Sequence, residues 1–509
     1  MTDHAETAPS TTPVAAVRIH PADTVATAIA DLAAGELLAI GGTGVRPIEP
    51  VARGHKVALA PIARGAAVIK YGFPIGVATA DIAAGAHVHS HNLATALSGA
   101  GDYHYAPPAP APAPAPAPAA SARSFRGYVR ADGRVGTRNE IWIIPTVGCV
   151  GNLAARVARI AGARHAGRVD GVHAFKHPFG CSQLGDDLGH TRALLAALAQ
   201  HPNAGGVLIV GLGCESNQLG PLLDGIAPAR RAHIRTLSAQ AVEDDEAACL
   251  ALVDDLVAAC ADMARTEVPL SRLVLGVKCG GSDGLSGLTA NPLVGRMADA
   301  VAAVGGKVVL TEIPEIFAAE QMLMDRAVSR EVFDETARLV RDFKDYFIRN
   351  GEPVSENPSP GNIAGGITTL EEKSLGAVQK GGKVPVVDVR RYGGEATIPG
   401  LTLLEAPGND AVSSTALTAA GATIILFTTG RGTPLGFPAP TLKIASNSPL
   451  AARKSGWIDF DAGQVLEAGF DSAADALLGL ITATASGGET KAETNEERDI
   501  AIWKSGVTL

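Results

Sequence analysis

Four of the six cysteines stand where an apolar, strand-like run ends: Cys149 in PTVGC, Cys181 in HPFGC, Cys214 in VGLGC and Cys279 in GVKCGG. Successive members are 32, 33 and 65 residues apart. One strand–helix–strand step takes about 30 residues, so the intervals are one step, one step and two, and the skipped step is the strand HIRTLSA. Glycine precedes the first three cysteines and lets the backbone turn sharply as a strand finishes. Thiolates are good ligands for iron, zinc or an iron–sulfur centre; a lone free cysteine is more often a small core hydrophobe. Four at equivalent strand ends predict that several thiols face one crevice and hold a metal. No CxxC pair is present, which argues against a zinc knuckle. Cys249 and Cys260 lie 11 apart on a helical pattern and are expected in the core.

Other polar groups gather in the same loops. His173, Lys176 and His177 precede Cys181, and Ser182, Gln183, Asp186 and Asp187 follow it. Glu215, Ser216, Asn217 and Gln218 follow Cys214. Lys278 precedes Cys279, and Gly280, Gly281, Ser282, Asp283 and Gly284 follow, a glycine-rich loop whose amides suit an anion. Arg431, flanked by glycines after the run ATIILF, suits a carboxylate. Glu312 near the end of KVVLTEI and Glu315 two residues beyond it could add carboxylate ligands, though Glu315 also reads as a helix-start acid. Nearer the N-terminus, His87, His89 and His91 alternate, so an extended chain puts three imidazoles on one face, able to bind a metal or supply an acid–base group. GLGCES after GVLIV invites a dinucleotide reading, but Ser216 stands where the third glycine belongs and HIRTLSA ends without the ribose-binding acid.

These groups need a scaffold. After residue 122, runs of five to eight apolar residues (IWIIPTV, GVHAFKH, GVLIVGL, HIRTLSA, LVLGVK, KVVLTEI, VPVVDVR, ATIILFTT) alternate with helical stretches such as TRALLAALAQ. Strands apolar on both faces predict α/β architecture with a parallel sheet covered on both sides, which collects ligands at the carboxyl ends of its strands. Residues 106–120 carry seven prolines, mostly alternating with alanine. Such a stretch favours polyproline II; its twelve residues from Pro107 to Pro118 would span roughly 37 Å. A semi-rigid spacer predicts that the segment before it folds alone. There, residues 16–100 read as a small β-rich module, with an early helix in PADTVATAIADL capped by Asp23 or Thr24.

The chain has 509 residues, 46% of them apolar and 19% charged. That suffices for large cores and about three domains. The net charge of −9 and the absence of Lys/Arg blocks argue against a nucleic-acid surface. No apolar run is long enough to cross a membrane, and MTDHAETAPSTTP lacks the pattern of a secretory signal. A cytoplasmic protein with reduced thiols is expected.

Longer motifs carry a resemblance. GHKVALAPIARGAAVIKYGFPIG and AGAHVHSHN resemble a SAF domain, a β-clip. FRGYVRADGRVGTRNEIWIIPTVGC, KCGGSDGLSGLTANPLVG, LTEIPEIFAAE, PSPGNIAGGITTLEEKSLG and FTTGRGTPLGFPAPTLKIASN resemble the catalytic part of the altronate and galactarate dehydratase family. The composition predicts a disordered start at 1–15 and a Pro/Ala linker at 106–122, longer and more regular than the family leads one to expect. The resemblance implies three parts: a β-clip at 16–105, a middle α/β domain at 123–265 able to pair subunits as a homodimer, and a Rossmann-like domain at 266–509. It implies a hydro-lyase that needs iron and reducing conditions, with Fe2+, an iron–sulfur centre or Mn2+ as cofactor, and that converts a small sugar acid to a 2-keto-3-deoxy acid.

Dehydration beside a carboxylate removes a weakly acidic α-proton and expels a β-hydroxyl. A metal stabilises the aci-carboxylate, a base takes the proton and an acid protonates the leaving oxygen. On that chemistry Cys149, Cys181, Cys214 and Cys279 are the expected metal neighbourhood. Lys278 and His177 are candidate bases, and His89 or His91 candidate acids. Arg138, Asn139, Gly280, Gly281, Ser282, Asp283 and Arg431 are expected to hold substrate. A non-enzymatic ligand-binding protein and an NAD(P)-dependent oxidoreductase are the alternatives.

Overall fold

The structure is a computed structural model describing residues 14–97, 101, 103–106 and 123–509. The expectations for the first residues and for most of the Pro/Ala linker lie outside the described residues. The chain divides into two compact units.

The first unit combines residues 14–97 with two segments from far along the chain, 283–285 and 355–373. Short antiparallel strands build it, including the four-stranded set Ala16–Val17, Val25–Ala28, Lys56–Ala58 and His87–Val88. The expected early helix is absent: Val25–Ala28 is a buried strand pairing with Ala16–Val17 and Lys56–Ala58. Its would-be caps serve turns instead. Asp23 accepts from the amides of His20 and Gly72, and Thr24 Oγ1 from the amide of Ile69. A four-residue segment buried on both sides gains more as a β-branched strand than one amphipathic turn would supply.

The expectation that this module folds alone is also corrected. Glu372, from the 355–373 segment, is buried between Lys56 Nζ and Lys70 Nζ, each 2.8 Å away. Two ammonium groups in contact outweigh burial and hold its carboxyl far below the usual carboxylate range. Removing the segment would leave two lysines buried without their counter-charge.

The second unit contains two parallel sheets. In the smaller, β1 (Glu140–Pro145), β2 (Gly171–Ala174), β3 (Ala204–Gly211) and β4 (Ile234–Ser238) lie in the order β2-β1-β3-β4. Alternate side chains of β1 face opposite layers. Ile141 and Ile143 pack with Val157 of α1 (Gly151–Arg164) and Leu256 of α3 (Asp245–Cys260), while Trp142 and Ile144 pack with Leu194 and Leu198 of α2 (Gly185–Leu198). Cys249 and Cys260 are core residues of α3, as expected. The larger sheet has seven parallel strands: β5 (Val274–Cys279), β6 (Lys307–Leu310), β7 (Val386–Arg390), β8 (Gly400–Leu404), β9 (Ile424–Thr429), β10 (Thr441–Ala445) and β11 (Phe460–Asp461). Their order is β7-β8-β6-β5-β9-β10-β11.

Each order reverses once, between β1 and β3 in the small sheet and between β5 and β9 in the large one. At such a point the connections leave in opposite directions and open a crevice at the carboxyl ends of the strands. No helix among the described residues is long and apolar enough to cross a membrane.

Candidate active site

Cys279 ends β5, at the reversal point of the seven-stranded sheet, and is buried. Its amide donates to Glu312 Oε2 at 2.8 Å, its Sγ lies 3.2 Å from Glu315 Oε2, and Lys380 Nζ approaches the sulfur to 2.8 Å. Lys278 Nζ, on the opposite face of β5, reaches Glu312 Oε1 at 3.1 Å, Asp410 Oδ1 at 2.7 Å and Ser413 Oγ at 3.1 Å. Glu312 thus joins both faces of the strand end. It does so from a left-handed backbone, φ 66° and ψ 54°, a conformation that costs about 1–3 kcal/mol for a residue with a Cβ and persists where surroundings impose it.

Burial opposes the charge of Lys278, but Glu312 and Asp410 outweigh it and raise its pKa. Lys380 is likewise raised: burial opposes its charge, and Cys279, Glu312 and Glu315 overcome it. Burial raises the carboxyl of Glu312 despite Lys278. The side chain of Asp410 is one-third exposed and connects the buried charges to solvent.

One sulfur and two carboxylates, with ligand atoms all within 4.8 Å, form the one group of three metal-ligating side chains of that closeness among the described residues. Sulfur with carboxylate oxygen suits a borderline divalent ion such as Fe2+ or Mn2+. Charge agrees: Glu312, Glu315 and Asp410 exceed Lys278 and Lys380 by one negative charge, which a divalent ion with a thiolate would neutralise. The donor set therefore fits a metal, with Lys380 as the cation to be displaced from the sulfur.

The neighbouring loops supply polar groups. Gly280 N donates to Thr428 O, Gly430 N to Gly281 O, and Thr429 Oγ1 accepts from the amides of Arg431 and Gly432. Arg431 is exposed on this rim, whereas Ser282, which follows Gly281 in the chain, is buried. Asp283 and Gly284 belong to the first unit, where Gly284 N donates to Gly365 O.

Several expected site residues are engaged elsewhere. Lys278, expected as a base, lies between Glu312 and Asp410, which favour its ammonium form. His177 has both ring nitrogens occupied, Nε2 with Pro145 O at 2.8 Å and Nδ1 accepting from Phe179 N at 3.2 Å; it braces a loop. Arg138 is buried on Glu493 and three carbonyls, and Asn139 is bonded to Arg130 and Cys260 O. Both are taken up by hydrogen bonds within the protein. The dinucleotide reading fails for a local reason: the carboxylate of Glu215 already takes the amides of Leu212 and Gly213, which a phosphate would need.

The four-thiol crevice divides. Cys149, Cys181 and Cys214 follow β1, β2 and β3 and are exposed, whereas Cys279 stands buried in the other sheet. In the first unit the extended strand stops at Val88, yet the rings of His87, His89 and His91 still gather, at 5.3 and 5.5 Å from His87. His55 joins them with Nδ1 at 3.0 Å from His87 Nε2, and His89 Nε2 contacts Ile363 O at 3.0 Å. Burial, then neighbouring imidazoles, push His87 down to about 4, so it is neutral at pH 7.

Sequence reasoning misses Lys380 and His55 as members of these clusters. Lys380 lies in the loop-like run QKGGK and His55 in a glycine turn; neither carries a local signal of its partners.

A parallel α/β chain with a buried, charge-dense cluster at a sheet reversal point defines an enzyme of the α/β class. Comparison with known proteins sharpens this. Residues 14–96 match the altronate/galactarate dehydratase SAF domain, residues 127–261 the second domain of D-galactarate dehydratase/altronate hydrolase, and residues 270–508 the C-terminal D-galactarate/altronate dehydratase domain. Altronate dehydratase of Escherichia coli is 49% identical over 97% of this chain and 99% of its own. Altronate dehydratase of Bacillus subtilis is 46% identical over the same shares, and the L-threo-forming galactarate dehydratase of E. coli is 34% identical over 88% of each. The chain belongs to the altronate/galactarate dehydratase family and is a carbon–oxygen hydro-lyase.

Proposed function

We propose that the protein dehydrates a sugar acid of the altronate or galactarate type to its 2-keto-3-deoxy acid at the Cys279–Glu312–Glu315 cluster. The observation that carries this reading is the placement of that cluster, with its two lysines, at the reversal point of the large sheet. Altronate ranks first, because the altronate dehydratases share 49% and 46% identity with this chain and the galactarate enzyme 34%.

Cys279, Glu312 and Glu315 would hold Fe2+ or Mn2+, which when bound supplies a Lewis acid for the substrate carboxylate. Arg431 offers its guanidinium to the same carboxylate from the exposed rim. Asp410, the solvent-reaching member of the cluster, accepts the α-proton. Lys278, held protonated, gives a proton to the β-hydroxyl, which leaves as water as the double bond forms. The resulting enol then tautomerises to the ketone. Because Asp410 Oδ1 and Lys278 Nζ are 2.7 Å apart, both proton movements occur within one hydrogen-bonded pair. The cytoplasm and a homodimer complete the reading.

The test is anaerobic incubation of the protein with Fe2+, a thiol and a panel of aldonates and aldarates, assayed for 2-keto acid. Product from altronate is expected; no product from any sugar acid would overturn the reading. In D2O, Lys278→Met should still exchange the α-proton while eliminating poorly, whereas Asp410→Asn should do neither. Undiminished exchange in Asp410→Asn would remove Asp410 as the base.

A further inference from the structure

The seven-stranded sheet borders a second cavity, at the end away from the Cys279 cluster. β5 runs from Val274 to Cys279. Its carboxyl end serves the cluster, and its amino end lines a cavity of about 290 Å3. Lys307, the first residue of β6, and Pro399, just before β8, line the same cavity. Its other wall comes from Asp132, Arg134 and Pro202. The cavity thus lies where residues 127–261 and 270–508, the two matched dehydratase domains, meet.

Its charges do not balance. Asp132, Arg134, Glu395 and Arg230 form a closed ring of alternating sign. Arg134 Nε lies 2.6 Å from Asp132 Oδ2, and Arg134 Nη1 lies 3.4 Å from Glu395 Oε1. Arg230 Nη1 lies 2.6 Å from Glu395 Oε2, and Arg230 Nε lies 3.1 Å from Asp132 Oδ2. Two carboxylates and two guanidinium groups cancel within that ring. Lys307 and Arg272 also line the cavity. Among the described residues neither side chain has an ion pair or a hydrogen bond. Burial disfavours the ammonium form of Lys307; Glu395 opposes that effect, and Arg134, Arg230 and Arg272 reinforce it. Two uncancelled cations therefore share one cavity, in a chain whose net charge is −9. Their mutual repulsion in a partly dry site is relieved by an anion from outside. Arg272 is exposed and Lys307 half-buried, so an incoming ligand can meet both.

We propose that this cavity binds a small dianion, carried as a phosphate group or as two carboxylates, between Lys307 and Arg272. Two charges on the ligand match the two uncancelled cations. The volume admits a small molecule and no macromolecule. Arg272 can take two oxygens side by side, and Lys307 supplies a point charge. Ser271, also on the wall, adds a hydroxyl. Because the walls come from both domains, the ligand ties them together and stabilises the folded chain by mass action. The six residues of β5 separate this site from the Cys279 cluster. That is roughly 17 Å at about 3.3 Å per residue, so the ligand does not compete for the cluster. The site is independent of the dehydration reading.

The experiment is calorimetric titration and thermal unfolding of the full-length protein with inorganic phosphate, malonate and acetate. It is run at mildly alkaline pH, where phosphate is a dianion, with ionic strength held constant by chloride. Expected are one dianion bound per chain and a raised unfolding midpoint, with no response to acetate. Phosphate binding without malonate binding assigns the ligand a phosphate group; the reverse assigns it two carboxylates. Lys307→Gln and Arg272→Gln should each weaken binding about tenfold or more. Neither residue is in the buried core, so both variants should keep the wild-type far-UV circular dichroism and 2-keto acid production. Arg156→Gln, which removes a distant surface charge, should bind as the wild type does. Absence of binding by both dianions, an equal response to acetate, or undiminished affinity in either cavity variant would each overturn the proposal. Because binding is read without turnover, its failure would leave the dehydration reading standing, and the converse holds.

Discussion

The two parallel sheets reverse their strand order in the same way but furnish the resulting crevices differently. At the small sheet the reversal point is lined by three exposed cysteines on loops tied through their backbones. At the large sheet a single cysteine is buried among three carboxylates and two ammonium groups, within a web of contacts between 2.7 and 3.6 Å. Topology selects where a crevice opens; burial decides what it becomes. Buried charges are stabilised only by one another, so the large-sheet site is electrostatically preorganised. The exposed rim keeps its thiols available.

Breaking the buried site should have the largest effect. Cys279→Ser and Glu315→Gln are expected to lower kcat by about a thousandfold, ~4 kcal/mol of barrier, in a 2-keto acid assay with saturating metal. Activity within tenfold of wild type would dissolve the distinction between the two crevices. Next, Lys278→Met strands Glu312 beside it and should destabilise the protein by about 3–5 kcal/mol in denaturant unfolding. Cys214→Ser on the exposed rim should stay within about 0.5 kcal/mol. Equal losses would show that the fold depends on the rim as much as on the cluster. Gly180→Ala should cost about 1–3 kcal/mol, because its methyl meets Thr146 O; a neutral result would mean that the rim loops can part.

The smallest effect concerns pH and lies in the first unit. The folded pKa of His87 is depressed from 6.5 to about 4, so the unfolded chain binds the extra proton first. The stability this group contributes is whole above pH 6.5 and is lost as pH falls toward 4. Unfolding midpoints measured across that range should decline, and His87→Gln should flatten the decline. Lys278 has the opposite sign: its raised pKa gives stability that persists through neutrality and fades only in strong alkali.

Much of the scaffold is legible because strand–helix alternation is written in local apolar runs; all eight runs named from the sequence are strands. Gly400–Leu404 and Thr441–Ala445 escape. The first sits behind Pro399, and the second contains Lys443, a buried lysine whose burial no local pattern announces. Val25–Ala28 misleads because three apolar positions happen to fit a helical period. At the site, Cys279 and both glutamates can be named from their strand-end positions. Lys380, 101 residues beyond Cys279, cannot, because partnership over such a separation is made by the fold alone. The same holds for Lys56 and Lys70, whose partner Glu372 lies 316 and 302 residues away.

That last distance bears on how the polypeptide could be cut. Since the β-rich unit draws its walls from both sides of the Pro/Ala stretch, a protease nick there would leave a two-piece body held by Lys56, Lys70 and Glu372. Fragments 1–106 and 123–509, produced separately and mixed, should reconstitute one another, and the N-terminal piece by itself should stay unstructured.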